Sequence, residues 1–274
     1  MRPENNRRIS ESANRALSYP QALFLGAAII FASAGGACAA DWYTGDKTSE
    51  PDYAPSIVFD TSDSLTSRQT NFGAIALTAA IDGNFAQEGF RARVEGVAGA
   101  YDYFTTLPAA VPGALGEQKK IHATQEDAGV LGGYGWLSRN WSLALYAGME
   151  VSNTTLNWND PGNTTKGLHI GAKLAAEFYG NPTKNTMLGG YASFSTSADE
   201  YYTRFKAGYR IAGSIFAGPE FIALGNQFYS EYRAGIHLTG VTLGNLSLGV
   251  SGGASSNRVT GSGGYGIVDA RLGF

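Results

Sequence analysis

Apolar and polar residues alternate one by one over long stretches of this chain, a period of two that fits β-strands with two unlike faces and does not fit helices. In Phe90-Arg91-Ala92-Arg93-Val94-Glu95-Gly96 the apolar residues hold the even positions and the charges the odd ones. Trp141, Leu143, Leu145, Ala147, Met149 and Val151 alternate with Ser142, Ala144, Tyr146, Gly148, Glu150 and Ser152. Leu168, Ile170, Ala172, Leu174, Ala176 and Phe178 alternate with His169, Gly171, Lys173, Ala175, Glu177 and Tyr179. A further run sets Tyr201, Thr203, Phe205, Ala207, Tyr209 and Ile211 against Tyr202, Arg204, Lys206, Gly208 and Arg210.

Turn-forming clusters divide the pattern into segments near 54–64, 71–81, 89–104, 121–137, 141–153, 165–179, 185–197, 201–213, 215–225, 229–240, 246–256 and 265–274. That division predicts twelve strands, with ten as the alternative count. Asp82-Gly83-Asn84, Ser138-Arg139-Asn140, Gly180-Asn181-Pro182, Ala212-Gly213-Ser214 and Gly244-Asn245 read as short turns. The connections 105–120, 154–164 and 257–264 read as longer loops. The 37 glycines and only 16% charged residues also argue against a helical bundle or a charged disordered chain.

A soluble sandwich alternates too, but three features favour a closed antiparallel transmembrane β-barrel, an all-β fold. Segments of ten or more residues match tilted membrane strands, whereas globular strands run about five or six. Short turns on one side and longer loops on the other are the asymmetry of outer-membrane barrels. The last strand presents Val268, Ala270, Leu272 and Phe274 on one face and ends on an aromatic residue, which resembles an outer-membrane assembly signal. Closure follows from physics, because lipid offers no partner for an open sheet edge. Tyr101, Tyr103, Phe178, Tyr179, Tyr201, Phe228 and Tyr229, near segment ends, are the expected interfacial aromatics.

The first 39 residues read as a secretory signal, with Arg2, Arg7, Arg8 and Arg15 before the apolar run 22–32 and small residues at Ala37-Cys38-Ala39. Twin-arginine export through Arg7-Arg8 and lipidation at Cys38 are alternatives that the spacing and the preceding Gly35-Gly36-Ala37 disfavour. Residues 40–53 would be a periplasmic N-terminal segment and 54–274 the barrel. Losing residues 1–39 removes four Arg, two Glu and the sole Cys, so the chain's net charge of −3 becomes −5. A thiol-free, acidic chain excludes a disulfide framework and a thiolate metal site, and gives no reason to expect nucleic acid.

The second face of the strands then points into the lumen. It carries Arg91, Arg93, Lys173, Arg204, Lys206, Arg210, Arg233 and Arg271 against Glu95, Glu150, Glu177, Glu220, Glu231 and Asp269. Near balance of sign predicts cross-strand pairing that plugs the barrel, with a charge-lined channel as the functional alternative. Catalytic candidates are sparse. His122, His169 and His237 fall on separate segments outside any nucleophile motif, and His122 shares a strand face with Glu126. Gly45-Asp46-Lys47-Thr48 lacks the glycine spacing of a phosphate loop, and Gly132-Gly133-Tyr134-Gly135 reads as a thin strand. No metal or cofactor is expected.

Trp42-Tyr43-Thr44-Gly45, Asn159-Asp160-Pro161-Gly162-Asn163, Phe178-Tyr179-Gly180-Asn181-Pro182-Thr183, Gly218-Pro219-Glu220 and the run from Gly261 to Arg271 together resemble the BcsS-type cellulose biosynthesis family. The resemblance implies an outer-membrane protein associated with cellulose production and no known catalytic activity. Its partners would be outer-membrane lipid, the outer-membrane assembly machinery, and cellulose or other cellulose-secretion proteins. The expected function is a non-catalytic accessory in cellulose synthesis or export. A small diffusion channel is the alternative, and an outer-membrane hydrolase a more distant one. Trp158, Tyr201 and Tyr202, near loops, are the candidates for stacking on sugar rings.

Overall fold

A computed structural model describes residues 54–107 and 116–274. The expected signal segment 1–39, the expected periplasmic segment 40–53 with Trp42-Tyr43-Thr44-Gly45, and residues 108–115 of the expected loop 105–120 lie outside the described residues. The described chain forms twelve strands: β1 Ile57–Thr66, β2 Asn71–Ala80, β3 Gly89–Leu107, β4 Glu117–Leu137, β5 Trp141–Leu156, β6 Gly167–Thr183, β7 Thr186–Ser195, β8 Glu200–Ala212, β9 Ile215–Gly225, β10 Ser230–Leu243, β11 Leu246–Asn257 and β12 Gly261–Gly273. Each pairs antiparallel with its neighbours, and β12 pairs with β1, so the sheet closes into a barrel. The all-β barrel and the count of twelve agree with the alternation.

Closure is carried by the register Val58↔Gly273 through Thr66↔Tyr265. At the seam's lower end the Phe274 carbonyl accepts from the amides of Ser56 at 2.8 Å and Ile57 at 3.2 Å, and the Phe274 amide donates to the Ile57 carbonyl at 2.8 Å. The terminal residue therefore completes the ladder that lipid could not satisfy. Its ring points outward and is 61% exposed, alongside the exposed Val268. Turns at the end bearing Ile57 and Phe274 are short, apart from residues 81–88, which marks that end as periplasmic.

One face of each strand is a continuous apolar wall. Ile236, Leu168, Val130, Ile170 and Met149 are each more than 60% exposed, as lipid contact requires. The opposite face is largely buried and carries charged residues such as Arg93, Lys173, Arg204, Lys206 and Asp269.

Several expected boundaries moved, and β3 runs on to Leu107 and β4 begins at Glu117 inside the expected loop 105–120. Gly180-Asn181-Pro182 lies inside β6, and the turn falls at Lys184-Asn185. The β6–β7 register shifts between Gly180 and Thr183, so Pro182, which has no amide to donate, sits where the ladder is already interrupted. Most of the expected loop 257–264 is strand: the turn spans only 258–260, and β12 starts at Gly261. Its glycines hide the alternation because they carry no side chains to alternate. The backbone still pairs with β11, from Asn257↔Gly261 onward.

Close strand approach fixes at least one glycine. A Cβ at Gly148 would lie 2.0 Å from the Val130 carbonyl oxygen, whereas a Cβ at Gly132 would meet nothing within 4 Å. We expect Gly148→Val to lower the yield of folded, heat-modifiable barrel sharply and Gly132→Val to leave it near wild type. Equal yields would contradict the register. Deleting Phe274 removes the seam bonds as well as the outward ring, and should reduce folded protein in outer-membrane fractions several-fold; Phe274→Tyr, which keeps both, should not.

Candidate functional site: a charged and occluded lumen

Parity along each strand determines which side chains enter the lumen. On β3 the odd positions face inward, so Arg91, Arg93 and Glu95 enter together with Tyr101 and Tyr103. On β5 and β8 the even positions enter, bringing Glu150, Arg204 and Lys206; on β6 and β12 the odd positions bring Lys173, Glu177, Asp269 and Arg271.

These charges form two main clusters. Arg93 bridges Glu95 on its own strand, at 2.9 Å, and Glu177 on β6. Lys173 bridges Glu95, at 2.6 Å, and Glu150 on β5, and Ser197 donates to Glu150 at 3.1 Å. The Arg93 guanidinium also lies 5.5 Å above the Tyr146 ring and 5.6 Å above Tyr191. Across the barrel, Arg204 of β8 spans the interior to reach Asp269 of β12. Its two terminal nitrogens meet the two carboxylate oxygens at 2.9 Å each, and its Nε donates to Glu220 at 2.8 Å. Lys206 contacts Asp269 at 3.1 Å, while Ser62 donates to Asp269 at 2.8 Å and Tyr265 to Glu220 at 3.0 Å. The forked pairing of Arg204 with Asp269 fixes orientation as well as charge.

Smaller pairs complete the fill. Arg271 meets Asp60 of β1 at 2.6 and 3.0 Å. Arg233 meets Glu231 at 2.6 Å, and Tyr229 donates to Glu231. Arg91 lies 4.8 Å over Phe85, a buried residue of the 81–88 turn. Arg210 stands apart from both clusters, near the periplasmic rim, where Nε donates to the Lys184 carbonyl at 3.0 Å and the guanidinium lies 4.5 Å over Phe216.

The cell-surface half is filled by an apolar cluster built around Tyr101, Tyr103, Ile121, Ile222, Tyr229 and Ile267. Residues 157–166 reach this cluster: Tyr103 donates to Asp160 at 3.0 Å and accepts from Asn163 at 2.7 Å. Between the aromatic cluster and the charges lies a cavity of about 150 Å³, bordered by residues of both.

Several expectations are corrected. Tyr101, Tyr103, Tyr179 and Tyr229 are buried, not interfacial, whereas Phe178 is exposed as expected. Ten residues, an even number, separate Tyr101 from Arg91, so strand parity places it with the charges; proximity to a strand end was the misleading cue. The sugar-stacking candidates do not converge. Tyr202 faces inward, with its ring 5.9 Å from Tyr191. Tyr201 lies on the opposite face of the same strand, its hydroxyl 3.5 Å from Ser230 Oγ. Trp158 lies exposed in the 157–166 loop, with Lys119 4.1 Å from its ring.

The inward-facing Asp60, Asp127 and Glu200 were missed. Asp60 follows three apolar residues that conceal the alternation, and Asp127 stands beside the outward Glu126. His122 faces away from the lumen, with Nδ1 2.8 Å from Asp102, and Glu126 shares that outer face. His169 is at the cell-surface start of β6, and His237 is buried beside the Ala207 carbonyl at 3.2 Å.

A closed barrel with an apolar outer wall and ion pairs across its interior is an integral outer-membrane β-barrel. Within that class, the chain belongs to the family of the cellulose biosynthesis protein BcsS, whose family model matches residues 57–274. No curated protein matches the chain. Among solved structures it is similar to the KdgM porin in complex with disordered oligogalacturonate, at 9% identity and TM-score 0.41, covering 79% of this chain and 99% of that one. It is also similar to the Acinetobacter baumannii outer-membrane protein Omp33, at 12% identity and TM-score 0.39, with coverages of 80% and 98%. A deletion mutant of the TodX monoaromatic hydrocarbon channel gives 7% identity and TM-score 0.42, with coverages of 80% and 89%.

Removing one member of a buried network leaves uncompensated charge, which costs about 3–5 kcal/mol. Arg204→Met leaves Glu220 and Asp269 to share the single cation Lys206 and should lower unfolding stability by that amount in a denaturant titration of the folded barrel. Arg210→Met, at the rim, should change it by less than about 1 kcal/mol. Equal effects would show that the cross-lumen pairing carries no stability.

Proposed function

We propose that this protein is a non-catalytic accessory of bacterial cellulose synthesis or export, and not the conduit through which glucan passes. One observation carries the reading. Arg204 reaches from β8 to Asp269 on β12, and Arg93 reaches from β3 to Glu177 on β6, so charged side chains occupy the space that a polymer would need. The cavity left over, at about 150 Å³, is comparable to one that holds a single benzene ring. A glucan chain in transit would need several sugar rings end to end. Family membership supplies cellulose; the filled lumen supports an accessory or assembly role within that pathway.

The non-catalytic reading is supported by the employment of the acidic and basic groups. Glu95, Glu150, Glu177, Glu220 and Asp269 each contact a cation, and the three histidines lie on three different parts of the barrel. Of the three aromatic candidates for sugar contact, Trp158 is the one placed at the cell-surface end with an exposed ring. Contact with a glucan emerging elsewhere would use that ring.

Two measurements test the proposal. Purified protein in planar bilayers should give no large, stable conductance, since such currents would show an open pore. Deleting the gene should lower cellulose output, and plasmid-borne wild type should restore it; unchanged secretion after deletion would remove the pathway role.

A further inference from the structure

The cavity beneath the aromatic cluster has an unbalanced electrostatic lining. Asp127, Glu150 and Glu200 line it together with Tyr101, Tyr202 and Tyr229, and the cations that also border it, Arg93, Lys173 and Arg233, are engaged by Glu95, Glu177, Glu150 and Glu231. Glu150 is paired with Lys173, but that lysine is shared with Glu95. Asp127 and Glu200 are held by neutral groups: Gln125 donates to Asp127 Oδ2 at 2.8 Å, and Ser152 donates to Glu200 at 3.3 Å. Glu200 also lies in the repulsive fields of Asp127 and Glu150, against the weaker opposing field of Lys173. The remaining oxygen of Asp127, Oδ1, is buried and has no hydrogen-bond partner among the described residues, and the residue, only 8% exposed, borders the cavity. Burying carboxylates without a counter-charge is costly, and an oxygen left without a donor adds to that cost.

We propose that this cavity binds a small organic ammonium ion, paired with Asp127 and Glu200 and enclosed by Tyr101, Tyr202 and Tyr229. The charge of such a ligand would compensate the excess of carboxylates, which a neutral polyol could not do. Tyrosine faces attract cations, and this lumen already uses them so: Arg93 lies over Tyr146 and Tyr191, and Arg233 lies 5.6 Å over Tyr265. Among the described residues no group of three His, Cys, Asp or Glu has the geometry to hold a metal ion, which favours an organic cation over a bare metal. The volume, about 150 Å³, admits a compact ion of about six heavy atoms. Asn226 and Tyr229, at the β9–β10 turn, place the cavity toward the cell-surface end. The inference stands independently of the cellulose assignment.

The test uses the full barrel folded in detergent, with thermal unfolding followed by loss of the heat-modifiable band. Tetramethylammonium chloride is compared with sodium chloride at equal ionic strength and with tert-butanol as an uncharged solute of similar shape. The expected result is a saturable rise in the unfolding midpoint with tetramethylammonium alone, about 3–6 °C at ten times its dissociation constant. Asp127→Asn and Glu200→Gln, shown to be folded by the same band, should each weaken its affinity about tenfold or more. The proposal is overturned by the absence of a saturable rise in the wild type, by an equal rise with sodium chloride or tert-butanol, or by unchanged affinity in the folded variants. Should a variant not fold, the comparison of the three solutes on the wild type decides.

Discussion

Backbone amides and carbonyls that face lipid have no water to fall back on, and the rest of this structure follows from that constraint. Twelve strands meet it only because β12 returns to β1 and pairs with it over nine residues, finished by the Phe274 hydrogen bonds to Ser56 and Ile57. Once the ladder is closed, every strand has one side against lipid and one against the interior. The alternation is then a partition of side chains between two solvents: Val130 and Ile170 outward, Arg93 and Lys173 inward.

The interior must accommodate what the lipid wall excludes. Charges enter a space too narrow to hydrate them freely, so they are satisfied by one another, most tightly in Arg204 with Asp269 and Glu220. This pairing fills the lumen as a consequence of solvation, and the filled lumen is what favours an accessory role over a conduit. Where pairing is incomplete, at Asp127 and Glu200, a cavity remains, and the lining itself indicates the charge of a suitable occupant.

The fold was legible because parity is a local property. Strand parity puts Arg93, Lys173, Arg204, Lys206 and Asp269 on the buried face, and the Phe274 backbone bonds to Ser56 and Ile57. Reading failed where side chains could not signal a face. Glycines 261, 263, 264 and 266 made the start of β12 look like a loop, and Ile57, Val58 and Phe59 hid the inward Asp60 behind three apolar neighbours. Tyr101 and Tyr103 were misplaced for a different reason, since aromatics at strand ends suit both a membrane interface and a capped lumen.

The sequence by itself determined the strand period, the twelve segments and the side of the wall to which most residues belong, because these depend on neighbours two positions apart. Only the tertiary structure decided which charges meet. Arg204 and Asp269 are separated by 65 positions and Asp60 and Arg271 by 211, and their encounters depend on the register and closure of the whole sheet. The same holds for the cavity. Asp127, Glu150 and Glu200 come from β4, β5 and β8, and no local pattern in the chain places three carboxylates from separate strands around one space.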